Sequence, residues 1–223
     1  MYRIRPLNAV GTDSSAATRA ALIKAAGPLF AQEGFETART RDIADKAKAN
    51  VSAINYHFGS KMGLYQAVIK EQAEQMIASY PLQTDAIRDK DPETRFHHLV
   101  NNLLRRVLSR SPNTPQGRIC VREFAEPTEA LDFLVKEIVS HQFAISREVI
   151  AEVIGHDVSD DDLQRIHVSV VSQCFYYGMA EPMLTRLGVK IPHTEEEIDQ
   201  LALHIARFSL AGMSAAVREP AVA

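Results

Sequence analysis

The 223-residue sequence predicts an all-α protein, and three observations carry that reading. Apolar residues recur at helical spacing along nearly the whole chain, cap and stop signals punctuate them, and no stretch alternates with the two-residue period of a strand. At 46% hydrophobic residues the chain is long enough for one large or two modest domains with real cores. The pattern divides it into an irregular arm over 1–15, a small three-helix unit over 16–62, and a larger helical unit over 63–223.

The arm contains Gly11 and Ser14-Ser15, and its Arg3 and Arg5 suit a minor-groove arm if they act at all. The first helix runs from about Ala17 to Glu33, with Leu22, Ile23, Ala26, Leu29 and Phe30 inward and Gly34 as its stop. Thr40 suits an N-cap for a short helix carrying Ile43, Ala44 and Ala47 on one face. A break at Lys48-Ala49 follows, and Asn50 is placed to cap a second short helix whose Ile54 and Phe58 face inward. Gly59 ends that helix, Ser60 caps the next, and the helix beginning at Lys61 continues to about Ser79, before Pro81.

Beyond residue 90 the reading is helical throughout. Asp91-Pro92-Glu93 starts a helix whose stripe is Phe96, Leu99, Val100, Leu103, Leu104 and Val107. A short helix over about 117–125 follows. Pro127-Thr128 opens a long one to Ile154, closed by Gly155. Ser159 with Asp160 to Asp162 suits a helix start, and that helix stops or kinks near Pro182. The last helix runs from Thr194, with Glu195 to Glu197 in its first turn, to about Val217.

Residues 37–65 therefore read as a helix-turn-helix, a compact way to present one helix to the DNA major groove. The second helix leaves Val51, Ser52, Ala53, Asn55, Tyr56 and His57 outward, and none of these is acidic. Serine and asparagine can address base edges, and alanine and valine a thymine methyl. Arg41 can reach a guanine edge, whereas Thr40, Tyr56, His57 and Lys61 are types that reach phosphate oxygens. Lys48 occupies a turn position that favours positive φ, at a cost of order 1 kcal/mol, and places an ammonium toward a DNA backbone.

A net charge of −3 looks wrong for such a role until it is divided. Residues 1–70 hold ten basic and five acidic side chains, so the head carries +5 and the remainder −8. A basic head on an acidic body turns toward a polyanion. The sequence contains no apolar run near membrane-spanning length, and its start, MYRIRPLNAVG, has no signal-peptide core. Cys120 and Cys174 match no zinc spacing and read as reduced thiols of a cytoplasmic protein. Histidines are numerous, but no HExxH, nucleophile elbow or phosphate loop accompanies them. No enzyme, metal or cofactor is expected.

The segment resembles the DNA-binding domain of the TetR family of bacterial transcriptional regulators. Ala25-Ala26, Phe30, Gly34-Phe35, Thr40, Ile43-Ala44, Ala47, Ile54, Tyr56, Phe58, Lys61 and Leu64-Tyr65 carry that likeness over about fifty residues. It implies that Arg41, Val51, Ser52, Ala53 and Asn55 face bases and that Thr40, Tyr56, His57 and Lys61 grip phosphates. Lys48-Ala49-Asn50 departs from the Gly-Val-Ser usual at the turn, and Asn55 replaces a frequent tyrosine. The operator of a relative therefore does not transfer. Asn50 through Tyr65, with the Arg-Glu-Phe-Ala-Glu-Pro-Thr run at 122–128, resembles more loosely the CecR-like branch.

The resemblance also implies a homodimer on a palindromic operator and a small-molecule effector in the body. Phe175, Met179, Met183, Leu201, Ile205, Phe208 and Gly212 are the expected dimer residues, on broad apolar faces of the last two long helices. His97, Leu103, Phe124, Phe133, Phe143, Gln173, Tyr176, Tyr177 and Met179 are the candidate lining of an effector pocket, mixing apolar and polar groups for a moderately hydrophobic ligand. Repression of the target gene is the favoured outcome. An activator, or an architectural protein that coats DNA without sequence preference, are the alternatives, and the acidic body weighs against coating.

Overall fold

The computed structural model describes residues 10–109, 114–155 and 158–216, and among them every regular element is a helix. They run α1 (Val10–Glu33), α2 (Thr40–Ala47), α3 (Ser52–Phe58), α4 (Lys61–Ser79), α5 (Asp85–Arg88), α6 (Pro92–Leu108) and α7 (Pro115–Ala125). The chain continues with α8 (Glu129–Leu134), a π turn (Val135–Val139), α9 (Ser140–Ile154), α10 (Asp160–Met179), α11 (Glu181–Arg186) and α12 (Glu195–Ala216).

Cap chemistry explains the starts. Ser60, Asp91, Thr114, Thr128 and Ser159 each accept a hydrogen bond from a backbone N–H in the first turn of the helix that follows. Thr194 and Glu197 form a reciprocal box: Glu197 N donates to Thr194 Oγ1 at 3.2 Å, and Thr194 N donates to Glu197 Oε2 at 3.2 Å. Gly155 closes α9 in the left-handed region, at φ 71°.

Several expectations change. The first helix begins at Val10, so residues 10–15 are helical; Thr18 Oγ1 donates to the carbonyl of Ser14, and the alanine-rich run after it propagates the helix backward. Arg3 and Arg5 lie outside the described residues. The helix also runs through Pro28, which is exposed, because Leu22, Ala26 and Phe30 on the opposite side are held in the core. Thr40 is the first residue of α2 rather than its cap; extended Arg39 occupies the cap position without a side-chain bond. The one-turn helix α5 was not foreseen, and the long segment after Thr128 is interrupted by the π turn.

Two cores result. The head core joins Leu22, Ala26, Phe30, Ile43, Ile54, Leu64 and Val68 of α1–α4, and takes in Ile119 of α7. The body core centres on α6, whose Phe96, Leu99, Val100 and Leu104 meet Ile150 of α9, Cys174 of α10 and Ala202 and Ile205 of α12. Arg95 pairs with Glu152, and Arg105 with Glu195 and Asp199, tying α6 to α9 and α12. Gly178 lets α10 close onto α6, since a Cβ there would stand 2.2 Å from Val107 Cγ1.

Candidate nucleic-acid interface and body cavity

The turn between α2 and α3 is built as its sequence suggests. Lys48 stands at φ 54°, and it is the one non-glycine residue with positive φ among those described. Its N–H donates to Asp45 O at 3.1 Å and that of Ala49 to Ala44 O at 2.9 Å, closing α2. Asn50 Oδ1 then accepts from Ser52 N and Ser52 Oγ, both at 2.9 Å, and starts α3. Ile54 is buried and Phe58 packs half-buried beneath Arg19, so α3 is pinned by its inner face.

The outer face is presented to solvent. Arg41, Lys48, Asn50, Val51, Ser52, Asn55 and Tyr56 are exposed, Tyr56 by 79%. His57 is half-buried, edge-on to Tyr56, and Ala53 packs partly into the head core. Thr40 is half-buried. Lys61 is engaged with a distant part of the head: its Nζ donates to the carbonyl of Glu36 at 3.0 Å and lies over the Phe35 ring at 4.8 Å. Sequence gave no sign of that bond, because its acceptor is backbone 25 residues away.

In the body, a cavity of about 240 Å³ opens among α4, α6, α7, α8, α9 and α10. Leu103, Phe124, Phe143 and Met179 of the expected lining stand in its wall. The other five do not. Tyr176 is exposed, Tyr177 packs into the body core, Gln173 donates to Ser209 Oγ at 3.1 Å, Phe133 lies beneath Lys70, and half-buried His97 stands off the wall. Helix rotation decides this: adjacent Tyr176 and Tyr177 diverge by roughly a quarter turn. Sequence reasoning missed Arg106, Gln142, Ser146 and His167, the polar side chains of the wall. A signal existed for Arg106, a charge set inside the apolar stripe Leu103–Val107.

The π turn contributes Ile138 and Val139 to the wall, and Ser140 Oγ, at the start of α9, donates back to the Val135 carbonyl at 2.8 Å. Two walls also belong to the head. Helix α4 supplies Ala73, Met76 and Ile77 to the cavity and Leu64, Tyr65 and Val68 to the head core. Helix α7 supplies Cys120 and Phe124 to the cavity while Ile119 enters the head core. Its neighbours fasten it there. Tyr65 Oη donates to Glu123 Oε1 at 2.8 Å in a buried site, and Glu123 also accepts from Thr128 N and Oγ1 at 3.1 Å. Burial, and then the bond to Glu123, push the Tyr65 phenol well above its ordinary range, so it stays protonated and donates. Arg122 Nη2 donates to Gln32 O at 3.2 Å.

The expected dimer set also divides. Met183, Phe208 and Gly212 are exposed, Phe208 by 65%, beside Leu203 and His204 on the outer face of α12. Ile205 is buried in the body core, Leu201 packs half-buried on it, and Phe175 and Met179 line the cavity. Phe175 stands edge-on to Phe124 at 5.9 Å. Neither Cys120 nor Cys174 forms a disulfide among the described residues, and burial pushes the Cys174 thiol up to about 12. Among the described residues no helix is long and apolar enough to cross a membrane.

Known proteins match both parts. Residues 92–213 match the family described as the HTH-type transcriptional dual regulator CecR, C-terminal domain, and residues 22–68 match the bacterial regulatory proteins of the tetR family. The chain is 27% identical to the HTH-type transcriptional dual regulator CecR of Shigella flexneri over 182 residues, covering 75% of this chain and 78% of that protein. The HTH-type nicotine-responsive transcriptional repressor HdnoR of Paenarthrobacter nicotinovorans is 37% identical over 71 residues, 32% of this chain and 37% of that protein. Among solved structures, the fatty acid degradation regulator FadR from Bacillus halodurans aligns with TM-score 0.65 at 15% identity, covering 87% of this chain and 95% of that one. A TetR-like transcriptional regulator from Rhodococcus sp. RHA1 aligns with TM-score 0.60 at 17% identity over 93% and 100% of the two chains. At those identities the structural likeness shows the fold. With the CecR C-terminal match spanning more than half of the chain and the tetR match spanning the helix-turn-helix, this protein belongs to the TetR family of bacterial transcriptional regulators, in its CecR-like branch.

Proposed function

We propose that the protein is a cytoplasmic homodimer that represses transcription from a palindromic operator and is released by a small, moderately hydrophobic effector. The observation that carries this reading is the sharing of α4 and α7 between the head core and the wall of the body cavity. A ligand that fills the cavity bears on Ala73, Met76 and Ile77 at one end of α4, while the other end holds the reading head through Leu64 and Tyr65. A ligand with different affinity for two positions of α4 then shifts the spacing of two heads in a dimer. Exposed Phe208, Leu203 and Met183 support a two-fold contact through α12 and its neighbour.

Within the head, exposed Arg41, Val51, Ser52 and Asn55 read bases, with Ala53 beside them. Thr40, Lys48, Asn50, Tyr56, His57 and Lys61 hold the phosphate backbone; Lys61 must exchange its bond to Glu36 for a phosphate or act from that position. The relative over most of the chain is named a dual regulator, and this favours a second outcome, activation at promoters where the operator lies elsewhere.

Selection of bound duplexes from a random library at near-physiological salt tests the reading. The expected product is a palindrome with half-sites about one helical turn apart. Tight low-salt binding with no recovered motif overturns it in favour of a sequence-tolerant architectural role. Repeating the selection with Asn55→Ala should relax one base position only, at a cost of about 1–3 kcal/mol for the preferred base.

A further inference from the structure

What the body cavity offers a ligand is decided by which wall atoms reach its surface. Four polar side chains stand in the wall: Arg106 of α6, Gln142 and Ser146 of α9, and His167 of α10. Each makes its hydrogen bond within the protein. Arg106 Nε donates to the Tyr80 carbonyl at 2.7 Å, and its Nη1 donates to Gln142 Oε1 at 2.8 Å. Ser146 Oγ donates to the Phe143 carbonyl at 3.0 Å and lies 2.7 Å from His167 Nε2. Arg106, Ser146 and His167 are at most 6% exposed, and Arg106 Nη2 and His167 Nδ1 lie sealed beneath the surface. The surface that a ligand meets is almost wholly apolar.

That surface is made by Leu103 and Val171 together with two phenyl rings, Phe143 and Phe175, and two thioethers, Met76 and Met179. Phenyl rings pack offset or edge-on against another ring, and methionine adapts its shape and sets sulfur against ring edges, so the lining suits an aromatic occupant. It is a poor host for charge. A carboxylate or ammonium entering here gives up its hydration, while the wall's guanidinium is already committed to Tyr80 and Gln142. Size narrows the occupant further. About 240 Å³ exceeds the roughly 150 Å³ of an apolar cavity that holds benzene and falls below the roughly 300–1,000 Å³ usual for drug-sized ligands.

Resting on the effector reading above, we propose that the cavity takes an uncharged aromatic compound the size of two fused rings, held by shape and apolar contact with no ionic anchor. The ring system reaches Met76 of α4, the helix shared with the reading head, so its arrival is felt there. Organic acids and cationic compounds of the same size are turned away.

Calorimetric titration of the full chain into naphthalene, benzene and 2-naphthoate at neutral pH tests this. Naphthalene should bind most tightly, with the negative heat-capacity change of apolar burial. Benzene, which buries less, and 2-naphthoate, which brings a charge, should each bind at least about tenfold more weakly. Ala73→Met, which fills the cavity from α4, should abolish the naphthalene signal. Where that variant fails to fold, the three-ligand series on the unchanged protein decides alone. The proposal is overturned if naphthalene does not bind, if it binds no tighter than benzene, or if 2-naphthoate matches it. Operator affinity is measured separately on the selected palindrome: bound naphthalene that leaves it unchanged strikes the effector reading and upholds the ligand class.

Discussion

The head and the body are both helical and differ in how their interiors are filled. In the head, Phe30, Phe35 and Tyr65 cluster with ring centroids within 6.2 Å of one another, tilted or edge-on, and Leu22, Ile43, Ile54 and Leu64 close around them at 1% exposure or less. In the body, the helices around α6 leave a cavity walled partly by arginine, glutamine, serine and histidine. A filled core holds one geometry, as a reader of base edges requires. A hollow one has a second state available to it, reached by putting something in.

The sharpest way to break this contrast is one substitution on each side. Phe30→Ala should cost about 3–5 kcal/mol, because the ring is fully buried and its neighbours are held by three other helices. Ala73→Met puts bulk into the cavity from α4 and should cost well under about 1 kcal/mol, while abolishing binding of any cavity ligand. Denaturant unfolding measures both. Similar losses in the two variants would mean that the body is packed as tightly as the head.

The next effect concerns the joint. Tyr65→Phe removes the donor to Glu123 and leaves the carboxylate held by Thr128 alone on that side, at a cost of about 1–2 kcal/mol. The head core keeps its ring. Operator affinity without effector should therefore be close to normal, with a weakened response once effector is added. Fluorescence anisotropy with labelled operator reads both quantities. An unchanged response would place the coupling in α4 and remove α7 from it.

A third prediction stays within the head. Lys48 holds a left-handed backbone that glycine adopts without strain, so Lys48→Gly should stabilise by about 0.5–1 kcal/mol and raise Tm by roughly 2–4 °C. Its loss of charge should lower operator affinity at low salt. Stability and affinity moving together would show that the lysine does not face the DNA backbone.

How far the sequence could be read follows from how local each determinant is. Ser60, Asp91, Thr128 and Ser159 announce helix starts because the group each one caps lies two or three residues away. The helix-turn-helix is legible for the same reason, down to the strained Lys48. The cavity is not, since its wall depends on how six helices are rotated against one another. Arg106 and Gln142 carry no local mark of meeting across 36 positions, and Tyr176 and Tyr177 differ only by the turn of a helix. Lys61 reads as a phosphate contact from its type and place, yet its acceptor is a backbone carbonyl that only the fold brings near.

The smallest effect lies at the start of α12, on the body side of the comparison. Backbone N–H of His193, then Lys190 and the N–H of Thr194, hold the Glu197 carboxyl down at about 2, from an ordinary 4.5. Between those values the folded chain binds fewer protons than the unfolded one. The contribution of this carboxylate is therefore whole above about 4.5, shrinks as pH falls through the interval, and is gone below about 2. Glu197→Ala should unfold at slightly lower denaturant than the unchanged protein at neutral pH, and the two midpoints should draw together on acidification toward pH ~2. The head, whose α2 starts without a side-chain cap and α3 on the amide of Asn50, should show no matching acid-sensitive loss of its caps. A gap between the variants that survives acid would assign the Glu197 contribution to packing against the turn before α12 and not to its charge.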